Sequence, residues 1–198
     1  MQLDTRSSTV SPRSLVLVAM IAFAVVMRLV NYFAPGALPW NFTPVEAIAL
    51  FGGAYFSDRR LGVAVPLAAM IVGDVAIATL LPAAWIRDWL GTLPAVYLCI
   101  ALTAIGGFAL RNKVSAVNVT IGAFASAVLF FVVTNFATWL AAHAGAGAAC
   151  TSGLAACYVA GLPFFKGTLY GTLFWSVVLF GGFELMRRRW PSLQPAHA

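Results

Sequence analysis

The stretch from Leu15 to Phe33 is broken only by Arg28 and Asn31. As a helix rising 1.5 Å per residue it reaches about 28 Å, close to the thickness of a bilayer's hydrocarbon core. Further apolar runs place spans near 44–57, 61–81, 93–110, 118–141 and 162–186. With 62% hydrophobic and 9% charged residues, a chain of 198 residues cannot hide its side chains inside a water-soluble globule. Its mean hydropathy of +0.92 agrees, and the chain reads as an all-α membrane protein of six transmembrane helices. The second span is the short one, covering only about 20 Å as a helix. It either tilts little against its neighbours or has its outer end shielded by protein.

The polar start, Met1 to Ser14, carries Arg6 and Arg13 ahead of the first apolar run, and Ala22-Phe23-Ala24 imitates a signal-peptide cleavage site. The length of the run from Leu15 to Phe33 favours an uncleaved first helix instead. Placing the cations on these spans orients the bundle. Arg6, Arg13, Arg59, Arg60, Arg111, Lys113, Arg187, Arg188 and Arg189 fall on one side and only Arg87 in a loop on the other. The expected arrangement therefore has both termini cytoplasmic, with 1–14 and 187–198 as tails and 15–186 as a single transmembrane domain. The net charge of +6 is absorbed by these anchors, which leaves no basic domain for nucleic acid. Trp40, Trp85, Trp89 and Trp139 map to the outer half.

Charged side chains within spans cost several kcal/mol unless paired or wet, so each one is a candidate site residue. Arg28 stands thirteen residues beyond Leu15 and Asp74 thirteen beyond Leu61, both on helices entering from the cytoplasm. Both reach about 20 Å along their spans, while Asn135 lies about 25 Å along its own. Glu46 and Lys166 begin helices that descend from the outer side. Five spans thus deliver polar groups to one outer level, with Trp40, Trp139, Phe164 and Phe165 at the same height to stack against a ligand's rings. The opposed charges suit a neutral or zwitterionic ligand. They also suit a structural network, in which Arg28 with Asp74 or Glu46 only locks helices together and Asn135 is an interhelical hydrogen bond. Glu184 and Asp58 sit at the cytoplasmic boundary and are not site candidates.

Cys150 and Cys157 fall in the external segment His143–Gly161, where a disulfide would clip the loop; the alternative is a metal or corrinoid held with His143. Cys99 reads as a small core residue. The pairs Ala64 with Ala68 and Gly122 with Ser126 permit close helix contact, within the chain or with a partner. No catalytic motif, metal-ligand spacing or nucleotide-binding loop appears, so an enzyme is not expected and active transport would need an ATPase elsewhere.

Several strings together are specific: Asn41-Phe42-Thr43-Pro44, Ala49-Leu50-Phe51-Gly52-Gly53-Ala54-Tyr55-Phe56, Pro66-Leu67 before Asp74, Val133-Thr134-Asn135-Phe136 with Trp139, and Cys157-Tyr158 leading into Leu162-Pro163-Phe164-Phe165-Lys166-Gly167. They resemble an uncharacterised family of small bacterial multi-pass membrane proteins, itself similar to the substrate-binding S components of energy-coupling-factor (ECF) vitamin transporters. The resemblance covers about 15–186. It implies an inner-membrane bundle with an outward pocket for a vitamin-like small molecule, no cofactor, and an ECF-type transmembrane partner with cytoplasmic ATPases. Arg28, Asn41, Glu46, Asp74, Asn135 and Lys166 would then hold the ligand's polar groups. The Ala-x-x-x-Ala pattern through which S components typically dock is missing from the first helix, where Ala19 meets Phe23, Ala22 meets Val26 and Ala24 meets Arg28.

Overall fold

Ser11 caps the first helix by accepting from the backbone N–H of Ser14 at 3.2 Å, with Pro12 supplying a preset φ at the first helical position. The computed structural model describes residues 11–34, 36, 38–79, 83–145, 150–151 and 153–194, and side chains at 31, 83–85, 87 and 88 are likewise outside the description. The expected tail residue Arg6, the side chains of Trp85 and Arg87, and His197 therefore lie outside the described residues.

All described secondary structure is helical: α1 (Pro12–Phe33), α2 (Val45–Tyr55), α3 (Arg59–Ala78), α4 (Ala83–Gly107), α5 (Ala116–His143), α6 (Leu154–Ser176) and α7 (Gly182–Arg189). A π turn at Val177–Gly181 joins α6 to α7, so this rod runs from Leu154 to Arg189. Among the described residues, five helices are long and apolar enough to cross a membrane, which makes this a multi-pass membrane protein. Asp58 and Ser115 cap α3 and α5 through side-chain oxygens.

The fourth and sixth helices begin earlier than the apolar runs suggest, at Ala83 and Leu154 instead of 93 and 162. Pro94 and Pro163, each one residue inside the start of an expected span, lie well within helices. Each proline removes one backbone donor. Ending the helix there would strand several backbone groups away from water, which costs more. Arg87, assigned above to an external loop, accordingly has helical backbone, and Leu154–Gly161 is helix where a loop was expected.

The short α2 is the hub. Every one of its eleven residues is buried, and it packs against α1, α3, α4, α5 and α6. Its closest approach is to α4, where a Cβ on Gly53 would overlap the Ala104 carbonyl oxygen and one on Gly107 would sit 2.5 Å from the Leu50 oxygen. Glycine on both helices is what lets the two backbones touch. The Gly122 Cα faces Leu50 of α2, while Ala64 and Ala68 point outward.

A helix ending inside the protein leaves its last carbonyls without partners. Arg111 Nε donates to the Gly53 carbonyl at 2.9 Å, and Arg13 Nη2 donates to that of Tyr55 at 2.9 Å. Phe56 N–H closes onto Gly52 at 3.2 Å. Arg13 also donates to the Leu193 carbonyl at 2.8 Å, which anchors the end of the chain to α1. These two arginines, legible in the sequence only as topology anchors, complete a buried helix terminus and oppose its negative dipole end.

Gly53→Ala is expected to lower stability by about 2–4 kcal/mol through the clash with Ala104. Gly106→Ala, one residue before the contact and facing open space, should be neutral or stabilising by up to about 1 kcal/mol. Thermal unfolding of both variants in detergent checks the pair; equal effects would remove the α2–α4 contact from this account.

Candidate functional site

Three helices meet at one buried charge cluster. Arg28 of α1 donates through Nη2 to Asp74 Oδ1 of α3 at 2.6 Å. Tyr97 of α4 donates its hydroxyl to Asp74 Oδ2 at 2.7 Å. Asp74 is buried, with both carboxylate oxygens engaged. Arg28 Nη1 lies against Gly73 and has no hydrogen-bond partner among the described residues. A cation so placed can still serve an acceptor that enters beside it.

Beside Arg28 opens a cavity of about 390 Å³, lined among others by Tyr32 on the last turn of α1, Ile77 on α3, and Trp40, Asn41 and Thr43 on the α1–α2 connection. That connection is shaped locally. Phe42 N–H bonds to the Pro39 carbonyl at 3.1 Å and Thr43 N–H to that of Asn41 at 2.8 Å. Asn41 adopts φ 58°, a left-handed conformation that asparagine tolerates better than most residues. The loop then lies flat on α6, where only a glycine fits, because a Cβ on Gly167 would occupy the place of the Trp40 carbonyl oxygen. The Trp40 ring, 79% exposed, meets Phe164 edge-on at 6.4 Å between centroids. The cavity therefore presents a partly neutralised guanidinium, an amide, a hydroxyl and two aromatic rings.

The other residues singled out in the sequence lie elsewhere. Glu46 is buried in the first turn of α2, where a carboxylate meets the positive end of the helix dipole. Thr172 of α6 lies 3.2 Å from its Oε2, and Arg28 is within electrostatic reach. Asn135 donates to the Phe131 carbonyl of its own helix at 2.8 Å, its side-chain oxygen resting on Gly161 of α6. Trp139 stacks between Phe136 and His143 at centroid distances of 5.7 and 4.6 Å. Phe165 packs on Phe131 at 4.8 Å, and Lys166 is exposed. The single outer level expected for these groups is thus divided between the cavity beside α1 and α3, the first turn of α2 and the seam between α5 and α6.

Cys150 and Cys157 are joined in a disulfide with their Cα atoms 5.6 Å apart, tying the chain before α6 to its first turn. With both sulfurs bonded to each other, His143 is left without the thiol co-ligands that a metal or corrinoid would need. No three metal-ligating side chains gather among the described residues.

Tyr97 and Thr172 were missed in the sequence. A hydroxyl inside an apolar span must find an acceptor, and that demand is the signal by which both could have been found.

Asp74→Asn should destabilise the protein by about 3–5 kcal/mol because Arg28 stays buried with its charge unmatched. Tyr97→Phe should cost only about 1 kcal/mol. Equilibrium unfolding in mixed detergent should return the effects in that order, and the reverse order would move the centre of the cluster away from the ion pair.

The family model described as "Family of unknown function (DUF6580)" matches residues 8–193, and the chain belongs to that family. No curated protein and no solved structure matches it.

Proposed function

We propose that this member of DUF6580 is a membrane-embedded solute-binding subunit, similar to an ECF S component, for uptake of a vitamin-like small molecule. In this reading α2 is the sixth span, both termini are cytoplasmic, and the protein resides in a bacterial inner membrane with Arg28 and the α1–α2 connection at the outer side. The observation that carries the reading is the cavity of about 390 Å³ beside the Arg28–Asp74 pair. Its size and its mixture of aromatic wall with a few placed polar groups are those of a small-molecule site.

Within it Arg28 would receive an acceptor on the solute, Asn41 and Thr43 would fix orientation, and Trp40 would fold over a ring from its exposed position. The Arg28–Asp74 pair adds no net charge, which favours neutral or zwitterionic solutes over strong anions. Energy would come from an ECF-type membrane partner and cytoplasmic ATPases, because this chain carries no nucleotide-binding motif. A different class of function, an inner-membrane scaffold without a transported ligand, draws its support from the same cluster, since Arg28, Asp74 and Tyr97 already satisfy much of one another.

A panel of vitamins and their precursors tested against the purified protein separates the two. At least one compound should raise the melting temperature, and Trp40→Ala should weaken its binding about tenfold, the loss of one stacked ring, while leaving the unliganded melting temperature unchanged. If no compound in the panel shifts stability, the scaffold reading replaces this one.

A further inference from the structure

At the other end of α1 from Arg28, a second cavity of about 420 Å³ is lined by Arg13, Arg111 and Arg187 together with Ser57 and Asn112. Among the described residues, no carboxylate lines it. The three guanidiniums arrive from α1, from the turn after α4 and from α7, so the fold assembles them from distant parts of the chain.

Their charges are poorly offset. Arg13 and Arg111 spend their described hydrogen bonds on backbone carbonyls, which accept without cancelling a charge. Arg13 Nε and Arg111 Nη2 are buried without a partner among the described residues. Glu184 is the nearby acid, bonded to Arg187 at 2.7 Å, and it also accepts from the Tyr55 hydroxyl. Asp58 lies within reach of Arg111, but its Oδ1 is engaged by the Arg60 N–H at 2.7 Å. Burial, and after it the nearby Arg59, hold the Arg111 guanidinium below its ordinary range, while Asp58 acts the other way. Among the described residues, the three lining guanidiniums and Arg59 stand against the carboxylates of Glu184 and Asp58, an excess of two positive charges around a space open enough to admit a ligand.

Capping the end of α2 explains why Arg13 and Arg111 are here, but it does not explain Arg187. Its described partner is Glu184 alone, three residues back on its own helix, and it nonetheless lines the cavity. The planar guanidinium of Arg187, whose described contact to Glu184 uses Nε, matches the oxygens of a phosphate, and Ser57 and Asn112 add neutral polar residues to the lining. We propose that this basic cavity binds a phosphate-bearing anion, either the phosphodiester of an anionic phospholipid head group or free phosphate. A head group would enter at the level where the helices leave the apolar layer, where basic pockets receive anionic lipids.

The test uses the full-length protein in detergent at fixed ionic strength set with chloride. Short-chain phosphatidylglycerol, short-chain phosphatidylcholine and inorganic phosphate are titrated while the melting temperature is followed. Stabilisation by phosphatidylglycerol but not phosphatidylcholine identifies a lipid head group, and stabilisation by inorganic phosphate identifies the free anion. Arg187→Gln should raise the half-saturating concentration about tenfold. Arg189→Gln, the same change of charge on the same helix but outside this cavity, should leave it unchanged. If Arg187→Gln does not fold, Arg187→Lys keeps the charge without the planar fork and should also weaken binding. The proposal is overturned if neither anionic probe exceeds the chloride control, if the two lipids stabilise equally while inorganic phosphate does not, or if Arg187→Gln and Arg189→Gln weaken binding equally.

Discussion

A helix buried along its whole length must have both of its ends satisfied by other parts of the protein, and α2 imposes that requirement on everything around it. Its eleven residues rise only about 16 Å, less than the hydrocarbon thickness, so its two ends cannot both reach water unaided. At the N-terminal end the chain supplies Glu46 against the dipole, with Thr172 beside it. At the C-terminal end it supplies Arg111 and Arg13 to the Gly53 and Tyr55 carbonyls. Those two arginines in turn bring together the start of α1, the turn after α4 and the Pro191–Leu193 segment. The glycine contact between α2 and α4 then sets how deeply the hub can sit.

The same economy governs the end of the bundle where Arg28 lies. A charge within an apolar span is costly alone, and α1, α3 and α4 share the cost by converging on Asp74. This convergence holds α1 near α3, and residues of the α1–α2 connection line the cavity beside it. The Trp40 backbone is fitted against Gly167, so the cavity is walled by distant segments of the chain. Two cavities of similar size thus arise at opposite ends of α1, one beside a matched ion pair and one among unmatched arginines.

Much of the helical layout was legible in the sequence, and the errors share a cause. The expected spans begin at 93 and 162, where the apolar runs were drawn, whereas the helices continue back through Pro94 and Pro163 to Ala83 and Leu154 because a break there would leave backbone groups unpaired away from water. The Arg28–Asp74 pair was legible as a candidate because equal offsets of thirteen residues put both side chains at one height. Tyr97 was not, because its ring looks like any other aromatic residue in an apolar span. Arg13 and Arg111 were visible as charges at the right end of the bundle, but their roles as helix caps depend on where α2 stops relative to them.

By itself, the sequence determined that the chain is helical and membrane-embedded, that α2 is exceptional, and how far along its helix each polar residue stands. Rise per residue converts sequence spacing into height without any knowledge of neighbours. Tertiary structure alone decided which residues at a given height meet. That depends on the rotation of each helix about its axis and on which helix lies beside it, and apolar residues are spread around all sides of α5 and α6, so their sequences mark no inward side. Asn135 and Lys166 thus share a level with Arg28 in the sequence reading but stand on other faces of the bundle, while Arg187 reaches a cavity that spacing along α7 does not reveal.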